Sequence, residues 1–259
     1  MSFLTTRNTE VGEFSHIWVA DSLSTHHSVS LKETNYVFPL WLTQPQGLPK
    51  LNISLKFLEQ LATNLGVATL TDNHDLPEGV TAEDVIAYIY AVLHAPSYRS
   101  RYAEYLKSDF PRIPLVAIEG KASFAAAWKA LVPLGQALID LHLLRKVPAK
   151  LQANFPIQSS SEDSGIVVKP RYTEPKGLTK GRVWINTEQY FDGVPPDTWG
   201  FKVGGYQVCE KWLKDRKGRK LTLDDVEHYN KVVASLTQTR ELMTQIDAVA
   251  NGALWPKSE

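Results

Sequence analysis

The sequence predicts an α+β fold in which a mixed sheet of short strands accompanies a helical bundle. Three observations support this prediction. Segments rich in β-branched and aromatic residues fill residues 14–42, helical periodicity with capping residues dominates residues 54–146, and a basic hairpin followed by two helices occupies residues 165–250. With 259 residues, 43% of them hydrophobic, the chain can build one large domain or two small domains packed closely.

The N-terminal strands are predicted over residues 14–20, 28–30 and 36–42. Each segment combines β-branched and aromatic residues and is bounded by polar residues or proline, which is typical of strands in a mixed sheet. Residues 44–49 read Gln-Pro-Gln-Gly-Leu-Pro. We expect a loop there, because proline and glycine interrupt regular structure.

The first helix is predicted over residues 54–64, with leucines recurring on one face and Gly66 as its stop. The best helix signal follows Thr81, a good N-cap with Asp84 three residues later and an apolar periodic run beyond it. The Ala95-Pro96 pair ends this second helix, since a residue before proline avoids the helical conformation.

Ser97 is predicted to cap a third helix that runs through Lys107. Residues 109–115 contain two prolines, which impose an extended path. A long Ala/Leu-rich helix is then predicted over residues 123–146, where Pro133 can bend it. These helices make up the bundle.

The second part of the chain begins with a linker-like stretch, residues 158–165, which is polar and lacks apolar anchors. Residues 165–172 and 181–186 are predicted to form the two strands of a basic hairpin, with residues 174–177 in its turn. A helix starting near Tyr206 follows.

A long final helix is predicted over residues 222–250. Thr222 is its cap, and Asp224 and Asp225 lie in the first turn, where carboxylates favour the helix dipole. The linker divides the chain into residues 1–157, with the N-terminal strands and the helical core, and residues 158–259, with the hairpin and the C-terminal helices. We expect the two parts to pack as one unit.

Charge is distributed unevenly along the chain, although the formal net charge is zero. Residues 1–96 hold 4 Lys/Arg against 10 Asp/Glu, whereas residues 168–220 hold 12 against 6. Such an asymmetry fits a polyanion that binds to one face. The alternative is that these charges are solvated on unrelated surfaces.

The sequence lacks the motifs of several enzyme classes, among them GxxxxGK[ST], GxGxxG, GxSxG and HExxH. A methyltransferase would need an Asn/Asp-Pro-Pro-aromatic motif, whereas the only Pro-Pro pair, Pro195-Pro196, lies between Val194 and Asp197. We therefore expect no catalysis by this chain, and neither a cofactor nor a metal.

The cysteine and the histidines favour the same interpretation. The single cysteine, Cys209, excludes a disulfide within the chain and is predicted to be a small buried apolar residue. His94 and His142 lie near apolar helix faces and are predicted to be buried and hydrogen-bonded. No run approaches the roughly 20 apolar residues of a membrane span, so a cytoplasmic protein without a membrane partner is expected.

Three basic segments supply candidate DNA-binding residues. They are Arg99 and Arg101 on a helix that also carries Tyr98, Tyr102 and Tyr105; Lys169, Arg171, Lys176, Lys180 and Arg182 on the hairpin; and Lys214, Arg216, Lys217, Arg219 and Lys220 around a turn at Gly218. Lysines contact phosphates as point charges, whereas the planar fork of arginine can also read guanine. Lys169 and Arg171 are expected to project from one strand face, because they are two residues apart.

Each segment also has a structural interpretation. Lys214–Lys220 can be a solvated turn between two helices, and tyrosines at helical spacing are more often core residues than stacking platforms. The pattern does not separate DNA from RNA, nor either of them from an acidic protein.

Two long blocks resemble a known family. Residues 81–96, TAEDVIAYIYAVLHAP, continue through Tyr98-Arg99 and Arg101-Tyr102 into residues 107–114, KSDFPRIP, and residues 204–219 read GGYQVCEKWLKDRKGR. The blocks are similar to the C-terminal part of type ISP restriction–modification enzymes and related adenine-specific methylases. The similarity extends from about Phe14 to Asp247.

The resemblance implies a target-recognition-domain-like fold. It also implies that the chain recognises a sequence in double-stranded DNA and has a methyltransferase or translocase polypeptide or domain as its partner. The alternative hypothesis is a protein-interaction module that docks on a methyltransferase or phage-defence partner through the acidic N-terminal third and the apolar long helices. Charge reversal at Arg216 and Arg219 separates the two, since only DNA affinity depends on those cations.

Overall fold

A computed structural model describes residues 1–10, 12–25, 28–30, 32–70, 74–148, 155, 165–174, 177 and 179–257. The chain folds into two compact units. The first comprises Met1–Leu143 together with Leu242–Glu259, and the second comprises Leu144–Glu241. The predicted α+β class is confirmed, with eight helices and several small sheets among the described residues.

The first unit contains an antiparallel sheet in the order β2-β1-β3. Its strands are β1 (Ser2–Thr6), β2 (Ile17–Ala20) and β3 (Asn35–Pro39), and Phe3 lies opposite both Val19 and Phe38. The predicted strands at 14–20 and 36–42 thus exist in shortened form. The strand predicted at residues 28–30 is wrong, because these residues form a bend, and the central strand β1 was not predicted.

The first unit also contains five helices, two small strand pairs and the end of the C-terminal helix. The helices are α1 (Leu55–Leu65), α2 (Ala82–His94), α3 (Pro96–Arg101), α4 (Ala103–Leu106) and α5 (Lys121–His142). β4 (Trp41–Leu42) pairs with β5 (Lys50–Leu51), and β6 (Thr69–Leu70) pairs with β7 (Leu76–Pro77).

Of the two caps predicted in this unit, Thr81 is confirmed and Ser97 is wrong, and Ser54 is a further cap that was not predicted. The Ser54 side chain accepts a hydrogen bond from the Phe57 backbone N–H, and Thr81 and Asp84 form a reciprocal capping box. Ser97 is not a cap, because α3 begins one residue earlier with Pro96 in its first turn. The Ser97 hydroxyl instead donates to Asp247 Oδ1 at 2.6 Å.

The α2–α5 contact lies at the centre of the first unit. Gly135 faces the Ala87 carbonyl so closely that a Cβ at position 135 would overlap it. Phe124, Leu131 and Leu138 of α5 are fully buried. By length and mean hydropathy α5 is the one described helix that could cross a membrane, but this burial is typical of a core helix.

The second unit contains an antiparallel sheet in the order β10-β9-β8. Its strands are β8 (Arg171–Thr173), β9 (Gly181–Trp184) and β10 (Tyr190–Val194). The hairpin predicted from residues 165–186 is therefore present, whereas β10 was not predicted. Gly181 allows a close approach, since a Cβ there would collide with the Tyr172 ring and the Thr173 carbonyl.

The remaining elements of the second unit pack around this sheet. They are α6 (Pro196–Trp199), the strand pair β11 (Lys202–Val203) and β12 (Tyr206–Gln207), α7 (Val208–Lys214) and most of α8 (Leu223–Ala250). Thr222 caps α8 as predicted, because its hydroxyl accepts from the Asp225 N–H at 3.1 Å. Val183, Phe191, Leu213, Tyr229 and Val233 are fully buried and form the core of this unit.

The boundary between the units differs in position from the predicted division. The second unit begins at Leu144 and ends at Glu241, so the last turns of α8 belong to the first unit. The predicted linker at 158–165 lies, apart from Gly165, outside the described residues. The expectation that the two parts pack as one unit stays a prediction.

Candidate nucleic-acid interface

The sheet of the second unit has one buried and one accessible face, because side chains alternate along each strand. Cross-strand pairing aligns them in rows. Tyr172, Val183 and Phe191 form a row towards the core, whereas Arg171, Trp184 and Tyr190 form one row of the opposite face and Thr173, Arg182 and Asp192 form the next. We call this opposite face, defined by these last six residues, the outer face.

Two arginines on the outer face stack on aromatic rings. The Arg171 guanidinium lies 4.9 Å from the centroid of the Trp184 ring, and the Arg182 guanidinium lies 4.4 Å from that of Tyr190. Trp184 and Tyr190 contact each other at 4.6 Å. Cation–π contacts hold a guanidinium in place while its N–H groups can still donate to a ligand.

The basic segment around Gly218 also belongs to this unit and lies next to the sheet. Residues 217–220, which we call the basic loop, are bound to the segment that precedes β8 by main-chain hydrogen bonds. Gly218 N donates to Val167 O at 2.8 Å, Val167 N donates to Arg219 O at 3.0 Å, and Leu221 N donates to Gly165 O at 2.9 Å. Residues distant in sequence therefore bring their cations to neighbouring positions.

Two amides connect this segment to the turn between β9 and β10. Asn186 Nδ2 donates to Ile166 O at 3.1 Å, and Asn186 Oδ1 accepts from Gln189 N at 2.7 Å. The Gln189 side-chain oxygen accepts from Gly165 N. The sheet, the segment Gly165–Val167 and the basic loop thus form one hydrogen-bonded assembly.

The cations of the basic loop are exposed, but their neighbours are engaged in other contacts. Lys217, Arg219 and Lys220 are exposed, and none forms an ion pair within the described part of the chain. Lys214 Nζ instead lies 2.9 Å from Glu210 Oε2. Arg216 is mostly buried: its guanidinium lies 3.5 Å from the Trp212 ring centroid, and its Nε donates to Asp225 Oδ1 at 3.1 Å.

The hairpin candidates occupy different positions. Lys169 and Arg171 are exposed and line the same concavity, although Lys169 precedes β8 and is not part of the strand. Arg182 Nε donates to Asp192 Oδ1 at 3.2 Å. Lys180 is exposed at the entry to β9. Lys176 lies outside the described residues.

The first basic segment is part of the first unit, and its two arginines have opposite environments. Arg101 is exposed. Arg99 is mostly buried, its Nε donates to Leu93 O at 2.7 Å, and burial lowers its pKa to about 10. The structure thus places most of Arg99 in the interior of the first unit.

Arg99 lies close to buried histidines. His94 Nδ1 pairs with Tyr90 O at 2.8 Å and His142 Nδ1 pairs with the Tyr90 hydroxyl at 2.5 Å, so the prediction that both histidines are buried and bonded is confirmed. Burial and then the Arg99 charge lower the pKa of His142 to about 3 and hold that of His94 well below its usual value. Both imidazoles are neutral at physiological pH.

The other groups that sequence analysis considered for chemistry lack a suitable environment. Cys209 is fully buried, and burial raises its pKa to about 12, so the thiolate that reacts as a nucleophile is not formed. No group of three or more His, Cys, Asp or Glu side chains suited to a metal ion occurs among the described residues. Tyr98 is buried as expected, whereas Tyr105 is exposed.

The two aromatic residues of the outer face were not predicted from the sequence. Trp184 was placed in a predicted strand without a role, and Tyr190 lies on the strand that was not predicted. The alternation Arg182-Val183-Trp184 did contain a signal, because positions 182 and 184 must share a face. Its pairing with Tyr190 depends on the β9–β10 register, which only the fold supplies.

The chain is thus an α+β protein with an arginine- and aromatic-rich sheet face, and comparisons with known proteins specify this description further. The chain has the fold of part of the DrdV–DNA complex (TM-score 0.67, 20% identity, 95% of this chain and 24% of that one). It likewise matches the type ISP enzyme LlaBIII bound to DNA (0.64, 18%, 95% and 16%). A third match is a nuclease-deletion mutant of the type ISP enzyme LlaGI with a DNA substrate mimic (0.60, 18%, 100% and 21%).

The family follows from the sequence itself. Residues 1–245 match the model of the type ISP C-terminal specificity domain, so the chain belongs to this family, and the resemblance noted in the sequence is confirmed. The chain spans a quarter or less of the length of these solved relatives. No curated protein matches it.

Proposed function

We propose that this chain recognises a specific sequence in double-stranded DNA for a restriction–modification system and performs no catalysis of its own. The observation that carries the proposal is the assembly of the outer face and the basic loop in the second unit. The exposed lysines and the arginine of the basic loop are suited to phosphate contact. The arginines that stack on aromatic rings of the neighbouring sheet are suited to reading bases. The solved relatives are DNA complexes, which agrees with this role.

The proposal narrows the set of contacting residues. Lys217, Arg219 and Lys220 of the basic loop, with Lys169 and Lys180, are proposed to contact phosphates. Arg171 and Arg182 project from the outer face towards the groove. Arg99 and Arg216 are left out, because their guanidinium groups hold the protein interior together.

A salt titration of duplex binding by fluorescence anisotropy tests the electrostatic part. If about 6 phosphates are neutralised, log affinity should fall with log salt with a slope of roughly −5. The triple variant Lys217→Gln/Arg219→Gln/Lys220→Gln should reduce that slope by about 3. A triple variant of exposed lysines in the first unit, Lys56→Gln/Lys121→Gln/Lys129→Gln, is the charge-matched control and should leave it unchanged.

Two further measurements complete the test. Selection of bound sequences from a random duplex library should yield a consensus, and methyl transfer from S-adenosylmethionine by the isolated chain should be undetectable. A flat salt profile for the wild-type chain would exclude DNA as the ligand.

An exposed aromatic patch favours a second role for the first unit, contact with a methyltransferase or translocase polypeptide. Tyr36 and Phe38 on β3 are 39% and 41% exposed, and both pack edge-on against Phe110 at 5.0 and 5.8 Å. Solvent-facing aromatic clusters are typical of protein interfaces. Tyr36→Ser/Phe38→Ser should weaken co-purification with such a polypeptide while duplex binding by the second unit is retained.

A further inference from the structure

A concavity of about 500 Å³ lies beside the sheet of the second unit. Val168, Lys169 and Arg171 line it from one side, and Asn186 and Thr187 line it from the β9–β10 turn. Its lining combines a guanidinium, an ammonium, a hydroxyl, an amide, the carboxylate of Glu188 and an exposed aliphatic side chain. A phosphate needs only the positive charge, whereas the edge of a base pair in the major groove offers both hydrogen-bond acceptors and a methyl group.

Arg171 is held in a defined position at this concavity. Its ring partner Trp184 is itself fixed, because Trp184 Nε1 donates to Thr173 Oγ1 at 2.9 Å and the indole contacts Tyr190. Within the described part of the chain Arg171 forms no ion pair, so its N–H groups can donate to a ligand. A positioned guanidinium fork matches the O6 and N7 acceptors of guanine.

Arg182, two positions from Trp184 on the same face, differs from Arg171 in one respect. Its Nε donates to Asp192 at 3.2 Å, and the carboxylate compensates its charge. A base contact by Arg182 would have to break this bond. On the outer face, the Arg171 guanidinium is therefore not bound to a carboxylate of the described residues, whereas that of Arg182 is bound to Asp192.

Val168 supplies the apolar part of the concavity. Val168 is 55% exposed, and its backbone N–H donates to Ile185 O at 2.8 Å. In the major groove the apolar counterpart of such a side chain is the C5 methyl group of thymine.

We propose that Arg171 reads a guanine through O6 and N7 and that Val168 contacts the methyl group of a neighbouring thymine. The recognised sequence then contains a guanine flanked by a thymine. This inference rests on the proposed function and makes Arg171 and Val168 specificity-determining residues.

The experiment compares consensus sequences selected from a random duplex library. Arg171→Lys keeps the charge but loses the fork, so discrimination for guanine at one position should fall about 10- to 100-fold while the salt slope is unchanged. Arg216→Lys is the matched control, because Arg216 is stacked on Trp212, bound to Asp225 and excluded from the proposed contacts, and it should keep the consensus. Circular dichroism confirms that the variants are folded.

The thymine contact is tested by replacing that thymine with deoxyuridine, which removes only the methyl group. The wild-type chain should bind the substituted duplex a few-fold more weakly, and Val168→Ala should bind both duplexes equally. Salt-dependent binding with an unchanged consensus for Arg171→Lys would overturn the inference and leave the proposed function intact. A wild-type chain that does not bind duplex DNA would overturn both.

Discussion

Arginine has opposite environments in the two units of this molecule. In the first unit Arg99 is mostly buried, donates to a main-chain carbonyl and lowers the pKa of two neighbouring histidines. In the second unit Arg171 is exposed on an aromatic ring at the edge of a concavity. The difference teaches that a basic segment is not by itself a binding surface, because the same side chain supports the interior in one place and faces a ligand in the other.

The largest expected effect is acid destabilisation, and it belongs to the first unit. His94 and His142 have folded pKa values below the ordinary 6.5, so the unfolded chain binds protons that the folded chain cannot. Their contribution to stability is complete above pH 6.5 and is lost as the pH falls towards about 3, the folded pKa of His142.

Each of these histidines should lower the free energy of unfolding by about 1.4 kcal/mol per pH unit below 6.5. At pH 5 the two together amount to roughly 4 kcal/mol. Urea unfolding at pH 7.5 and pH 5 measures this loss, and a stability that is equal at the two values would contradict the neutral burial of both imidazoles.

Arg99→Met should separate folding from binding. The change removes a charged hydrogen bond to Leu93 O and should destabilise the chain by roughly 2 to 3 kcal/mol. It also removes a neighbouring positive charge from both histidines, so the acid sensitivity should decrease. The salt slope of duplex binding should stay as in the wild type. A reduced slope would show that Arg99 contacts a phosphate.

Gly135→Ala tests the helix contact on which the first unit depends. An added Cβ would overlap the Ala87 carbonyl of α2, so the helices must separate at a cost of about 1–3 kcal/mol. Differential scanning calorimetry should show a lower Tm. Gly200→Ala is the control, since a Cβ at position 200 meets only ordinary contact distances.

The smallest effect is expected for Arg216→Gln in the second unit. Loss of the hydrogen bond to Asp225 and of the stacking on Trp212 should destabilise this unit by about 1 to 2 kcal/mol. Because Arg216 is proposed to be structural, the salt slope should stay as in the wild type, whereas the loss of one phosphate contact reduces it by about 0.9. A decrease as large as that of Arg219→Gln would show that both arginines contact phosphate.

How much the sequence predicts depends on whether a signal is local. Thr81 and Thr222 identify helix starts, because a cap and its partner lie within four residues of each other. The start of β1 could not be found in this way, since its pairing with β2 and β3 depends on contacts with residues far along the chain.

The same limit applies to the candidate site. The sequence locates the basic segments, but burial of Arg99 and the pairing of Arg216 with Asp225 arise only when helices pack. Residues 165–167 and 218–221 are also far apart in the sequence, whereas main-chain hydrogen bonds join them in the folded chain. The sequence therefore identifies the cationic residues, but only the folded structure shows which of them are exposed and which are buried or paired.

The basic loop is joined to its neighbour through main-chain N–H and carbonyl groups, which every residue type except proline carries. Lys217, Arg219 and Lys220 can consequently be exchanged for other side chains while the loop keeps its path, provided that Gly218, whose φ is +79°, is retained. Substitutions at these three positions can therefore change the ligand contacts of the loop without changing its backbone. This makes the loop a suitable first site for engineering a different binding specificity.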